Sequence, residues 1–142
     1  DSTYKSRSDM LHEITLVAGI AAERLSLAEN IITNDSPGRW SATFPSGGVC
    51  FDTNEDRRVT SYSILRTANN SLAQVVNGST NVLIEAIDGS SYTRNVTNLM
   101  ISTNIQGSRR IDIAMEDVRF KRGEPVTTTV SIVRWIYLPN QK

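Results

Sequence analysis

The stretch Ser8–Ile32, SDMLHEITLVAGIAAERLSLAENII, decides how the fold is read. Leu11, Ile14, Ala18, Ala21, Leu25, Ala28 and Ile32 recur at alternating spacings of three and four. On an α-helix that spacing forms one narrow apolar stripe. Ser8 before Asp9 supplies a cap, with Thr3 as an earlier alternative start. Asn34, Asp35, Ser36, Pro37 and Gly38 end the helix. A helix from Ser8 to Ile32 is about 37 Å long at ~1.5 Å per residue. Its mix of alanine with leucine and isoleucine suits packing on a flat sheet or a neighbouring helix.

Downstream the apolar period falls from about 3.6 to two. Val59–Leu65 and Ser71–Val76 read as short strands, and Asn77-Gly78 supplies the positive φ angles of a tight hairpin turn. Asn81–Ile87 reads as a third strand, closed by Asp88-Gly89. Leu99, Ile101, Thr103 and Ile105 alternate with polar residues up to a turn at Gln106-Gly107, and Ile111, Ile113 and Met115 resume the alternation. After the loop Lys121–Glu124, Val126, Val130, Ile132, Ile136 and Leu138 share one face of a last strand, interrupted by Thr128 and Arg134. Short alternating strands separated by turns imply antiparallel pairing. The expected fold is therefore α+β, a long N-terminal helix packed on an antiparallel β-sheet. It forms one domain over 1–142: helix in 1–35, irregular connection in 36–58 and sheet in 59–142. In the connection, Trp40, Phe44, Val49 and Phe51 offer packing, while Pro45, Gly47 and Gly48 break regular structure.

Composition narrows the function classes. The chain of 142 residues carries 15 basic and 15 acidic residues, for a formal net charge of +0. Such balance gives no support for a nucleic acid or an anionic membrane face as partner, since both call for clustered Lys and Arg. A surface rich in Ser, Thr and Asn is commoner outside the cell. Cys50 is the single cysteine, so no intrachain disulfide forms. No stretch reaches the ~20 apolar residues of a membrane span.

Catalytic patterns are sparse. His12 is the single histidine, placed on the helix beside Leu11 and Glu13, where a solvated surface role competes with proton transfer. A Cys50–His12 dyad lacks any sign of an activated thiol, and one His with one Cys falls short of a structural zinc set. Asp52, Asn54 and Asp56 begin a calcium-loop pattern, but Arg57 stands where glycine is needed and the later bidentate glutamate is missing. Asn-x-Ser/Thr sequons begin at Asn34, Asn69, Asn77 and Asn95. No catalytic residue, metal or cofactor is assigned. Trp135 lies opposite Ile132 and Ile136 on the last strand, alongside Val133 and Tyr137, so one face covers the helix and the other is available to a partner.

The segments VTSYSIL (Val59–Leu65), SLAQ (Ser71–Gln74), NVTNLMIS (Asn95–Ser102), RIDIAM (Arg110–Met115) and TVSIVR (Thr129–Arg134) follow in an order similar to the strands of minor pilins and minor pseudopilins of the tip class. The resemblance covers Val59 to Arg134, with the helix as support. Gln74 departs from the pattern, which often has a basic residue there, and the leader, the glutamate near the mature start and the apolar half-helix are not in this sequence. The resemblance implies a subunit of a type IV pilus or type II secretion filament. Such a subunit is anchored in the inner or cytoplasmic membrane through an N-terminal apolar helix. It is then exported to the periplasm or cell surface beside other minor pilin or pseudopilin subunits. Leu11, Ile14, Ala18, Ala21 and Leu25 are the expected helix-packing residues, and Trp135 and Tyr137 the expected contacts of the last strand. An exported adhesin or other extracellular binding module is the alternative, and an enzyme a third.

Overall fold

The structure, a computed structural model, describes residues 2–34, 38–50, 58–103 and 108–139. Helix α1 (Ser2–Leu25) opens the chain. Its buried side runs through Ser6, Met10, Ile14, Ala18, Ala21 and Leu25, with Val17 and Ala22 beside it. Arg24 in the last turn complements the negative end of the helix dipole. The chain then turns without a break: the Ala28 amide bonds the Leu25 carbonyl, and the Glu29 amide already bonds Thr43 of the first sheet.

That sheet is an antiparallel meander in sequence order, β1 (Asn30–Thr33), β2 (Arg39–Thr43), β3 (Tyr62–Arg66), β4 (Leu72–Val76) and β5 (Ser79–Ile84). Its inward rows run Ile31–Ala42–Tyr62 and Trp40–Ile64–Gln74 across the paired strands. On the other side Ser41 and Ser63 hydroxyls meet at 2.9 Å, and Asn34 donates to Ser41. β4 and β5 join through Asn77 and Gly78 at φ 50° and 84°, the two positive angles of a type I′ turn.

The second sheet has the order β6 (Ile87–Asp88), β7 (Tyr92–Thr103), β8 (Arg109–Lys121) and β9 (Glu124–Ile136), again antiparallel. A bulge between Val96 and Asn98 interrupts β7. β8 and β9, thirteen residues each, form a hairpin closed by Arg122 and Gly123 at φ 54° and 79°. Strict alternation along β8 sends Ile111, Ile113 and Met115 inward, and α1 lies over β9 and β8. One hydrophobic cluster joins the helix to both sheets.

This architecture corrects the expected α+β plan of a long N-terminal helix packed on an antiparallel β-sheet. Among the described residues the chain is mostly β, with two antiparallel sheets and a single helix that stops at Leu25. Two adjacent β-branched side chains, Ile31 and Ile32, followed by Thr33, favour an extended backbone, and β2 supplies their hydrogen-bond partners. The stripe misleads because its spacing runs on past the real helix end. Ala28 is buried from the turn, whereas Ile32 is 45% exposed and Ile31, one residue earlier, 7%. β1 and β2 thus occupy parts of the segments expected as helix and as irregular connection. The turn at Gln106-Gly107, Phe51 and the helix-ending residues Asp35, Ser36 and Pro37 lie outside the described residues.

Candidate interaction surface

Two polar anchors position the helix on the sheets. At the second sheet Asp117 is fully buried on the inner face of β8. Its carboxylate accepts from Arg94 Nε at 3.2 Å and from Arg119 Nε at 3.0 Å. Arg119 also lies over the Tyr92 ring, 4.4 Å from its centre, and Arg94 Nη2 donates to Ser6 Oγ of the helix. At the first sheet Gln74 Oε1 accepts from Arg24 Nη1 at 2.6 Å and from the Tyr62 hydroxyl at 2.9 Å. Burial pushes the Tyr62 phenol up to about 12, against the opposing pull of Arg24. Nearer the N-terminus, burial raises the Glu13 carboxyl; Arg94 opposes this and Asp9 adds to it.

With the helix so fixed, four of its five expected packing residues are committed to the protein's own core. Ile14, Ala18, Ala21 and Leu25 have no solvent exposure. Leu11 is 42% exposed; with Arg7, Thr129 and Ser131 it helps line a hollow of about 350 Å³. The helix instead turns Leu16 to solvent, 58% exposed, and holds Ile20 half-buried one turn further on. Ile20 belongs to a second hollow, of about 210 Å³, with Glu23, Arg24, Leu27 and Cys50. Neither Leu16 nor Ile20 is among the residues expected from the sequence. The signal is present there: both fall outside the buried stripe, four residues apart, and so share the opposite side of the helix.

Trp135 and Tyr137 are 57% and 75% exposed. Pairing places Trp135 beside Arg110 of β8, and Val133 beside Asp112, whose other neighbour is Met100 of β7. Met100, Val133 and Trp135, each about half exposed, therefore surround an Arg110–Asp112 ion pair of 3.1 Å on the outward face of the sheet. Met100 is legible from its place between the inward Leu99 and Ile101. Apolar side chains gathered on a solvated sheet face make this a candidate contact surface.

The other candidate groups lie apart. His12 is exposed on the helix, and Cys50 is exposed at the rim of the Ile20 hollow, whose lining does not include His12. A cleft of about 500 Å³ is lined by Glu13, Glu85, Asp88 and Arg94. Among the described residues no three His, Cys, Asp or Glu side chains are grouped to hold a metal ion; Asp52, Asn54 and Asp56 lie outside them. The sequon asparagine Asn77 is engaged, its Oδ1 accepting from the Thr60 and Ser61 amides and its Nδ2 donating to the Arg58 carbonyl. Asn69 accepts from the Thr67 hydroxyl, and Asn95 pairs opposite Glu116 on β7. No described helix is long and apolar enough to cross a membrane. Comparison with protein-family models, with curated proteins and with solved structures gives no match for this chain.

Proposed function

We propose that this chain is a structural subunit of a type IV pilus-like filament, a minor pilin or pseudopilin that primes or caps assembly. The observation that carries the reading is the pairing of two outward apolar surfaces on one domain. One is on the back of the helix around Leu16 and Ile20, the other on the second sheet around Met100, Val133 and Trp135. A subunit inside an assembly needs one surface for each neighbour, and apolar side chains held in solvent on two separate elements meet that need. The resemblance of the strand segments from Val59 to Arg134 to tip-class pilins supports the same reading. The residues expected to pack in the filament are then Leu16, Trp135 and Tyr137, with Leu11 at the margin of the buried stripe.

The test is made in the source organism. Surface filaments are sheared off, pelleted and probed with an antibody to this chain, in wild type and in a Trp135→Asp strain. The expected result is recovery of the wild-type chain in the filament pellet and at least tenfold depletion of the variant at equal cellular abundance. A wild-type chain absent from the pellet overturns the reading.

A further inference from the structure

Three of the strands that border the two sheets are short: β1 has four residues, β5 six and β6 two. The remaining border, β9, has thirteen, paired with β8 throughout and without a bulge. A bare strand edge is a template for another chain, and proteins keep such edges short, charged or bent. Over residues 126–133, VTTTVSIV, β9 is none of these: it carries no charge, and all but Ser131 are β-branched. The hairpin fixes which backbone groups are bare. In a two-residue type I′ turn, here Arg122-Gly123, the flanking residues Lys121 and Glu124 exchange both hydrogen bonds. Every second residue from Glu124 onward therefore bonds β8, and Pro125, Thr127, Thr129, Ser131 and Val133 turn their backbone groups outward. Pro125 has no N–H to offer and falls in that outward set, as an edge strand allows. Among the described residues no backbone bond outside the β8 ladder reaches this row.

An extended backbone satisfies such a row, and the side chains select which one. Residues 124–134, EPVTTTVSIVR, are chemically palindromic about Thr129. Paired antiparallel with itself about that residue, the segment sets Glu124 against Arg134, Val126 against Ile132, Thr127 against Ser131 and Pro125 against Val133. Apolar side chains thus meet apolar ones, hydroxyls meet hydroxyls, and the charges meet at the ends with opposite sign. Glu124 and Arg134 are both exposed, and among the described residues neither takes part in an ion pair within the chain. We propose that two copies of this chain form a two-fold dimer in which their β9 edges pair antiparallel about Thr129, joining the second sheets of both into one. Such a contact is isologous: it closes on itself, covers the open edge and does not propagate. It uses neither Leu16 nor Trp135, which lies past the Arg134 end of the ladder, so it stands apart from the filament reading.

The full chain, with Cys50→Ser to remove its own thiol, is followed by sedimentation equilibrium over a range of concentrations. The expected result is a reversible monomer–dimer equilibrium with nothing larger. Thr129→Pro deletes an N–H that faces away from β8, at the two-fold axis, and weakens dimerisation at least about tenfold. Arg134→Glu sets two acids against each other and weakens it as well, and adding Glu124→Arg to that variant restores it. Circular dichroism checks each fold; should Thr129→Pro disturb it, the charge swap alone decides. Register is read by Thr129→Cys, the position that meets its own copy in this pairing. Oxidation with copper–phenanthroline links the two copies there, whereas Thr127→Cys stays unlinked. A chain that is monomeric throughout overturns the proposal. So does a dimer indifferent to a correctly folded Thr129→Pro, one that the charge swap fails to restore, or one linked as well through position 127 as through 129.

Discussion

The anchor at Asp117 and the anchor at Gln74 do the same job with different chemistry. Each holds α1 to one sheet through side chains that are largely buried. At the second sheet the acceptor is a full negative charge, and the structure surrounds it with two guanidinium groups. At the first sheet the acceptor is a neutral carboxamide, and one guanidinium with one phenol is enough. A buried charge needs partners in proportion to the solvation it has lost, whereas a buried amide needs only its hydrogen bonds. The two anchors should therefore fail by different amounts.

The largest effect is expected from Asp117→Ala, which leaves Arg94 and Arg119 facing each other with no anion between them. Removing one member of a buried ion pair costs about 3–5 kcal/mol, and denaturant unfolding of the variant measures it. Gln74→Leu keeps the volume and removes the acceptor that Arg24 and the Tyr62 hydroxyl share; a loss of about 1–3 kcal/mol is expected by the same measurement. The contrast breaks if this variant is as damaging as Asp117→Ala.

Tyr62→Phe, the smallest change, removes one donor and should cost about 0.5–1.5 kcal/mol near neutral pH. It also sharpens the comparison through pH. The folded phenol sits at about 12, above its ordinary value of 10.0, so the unfolded chain ionises first as pH rises. The contribution of the buried phenol is complete below about pH 10 and is lost between there and about pH 12. The difference in stability between wild type and Tyr62→Phe should shrink across that window. A difference that stays constant through it removes the burial assigned to the phenol.

Much of the strand layout was legible, because period two with Asn-Gly or Arg-Gly turns leaves few ways to pair neighbours. Asn77-Gly78 adopts the positive angles its sequence demands, and Trp135 faces outward as alternation along β9 requires. The helix was less legible. Alanine-rich sequence tolerates a shift of one residue in the stripe, and Met10 rather than Leu11 is the buried member. Its end was hidden because Ala28 stays buried after the helix has stopped, so the apolar spacing carries no mark of the change. The division into two sheets escaped for a related reason: Glu85 and Ala86, between β5 and β6, contain neither glycine nor proline. The hollow is illegible in principle from local pattern. It joins Ile20 and Leu27 to Cys50, more than twenty residues further on. Asp117, by contrast, follows Ile111, Ile113 and Met115 on the inward face, so its burial follows from strand alternation alone.

The order of elements along the chain has a consequence for synthesis. The helix is translated before every described strand, yet its principal support, β9, follows all the others. The β8–β9 hairpin closes over two residues and can zip locally within microseconds. The helix must instead wait for about a hundred residues before that principal cover is made. A nascent chain arrested before Glu124 therefore carries a greasy helix that lacks its largest partner and is open there to water or to a chaperone.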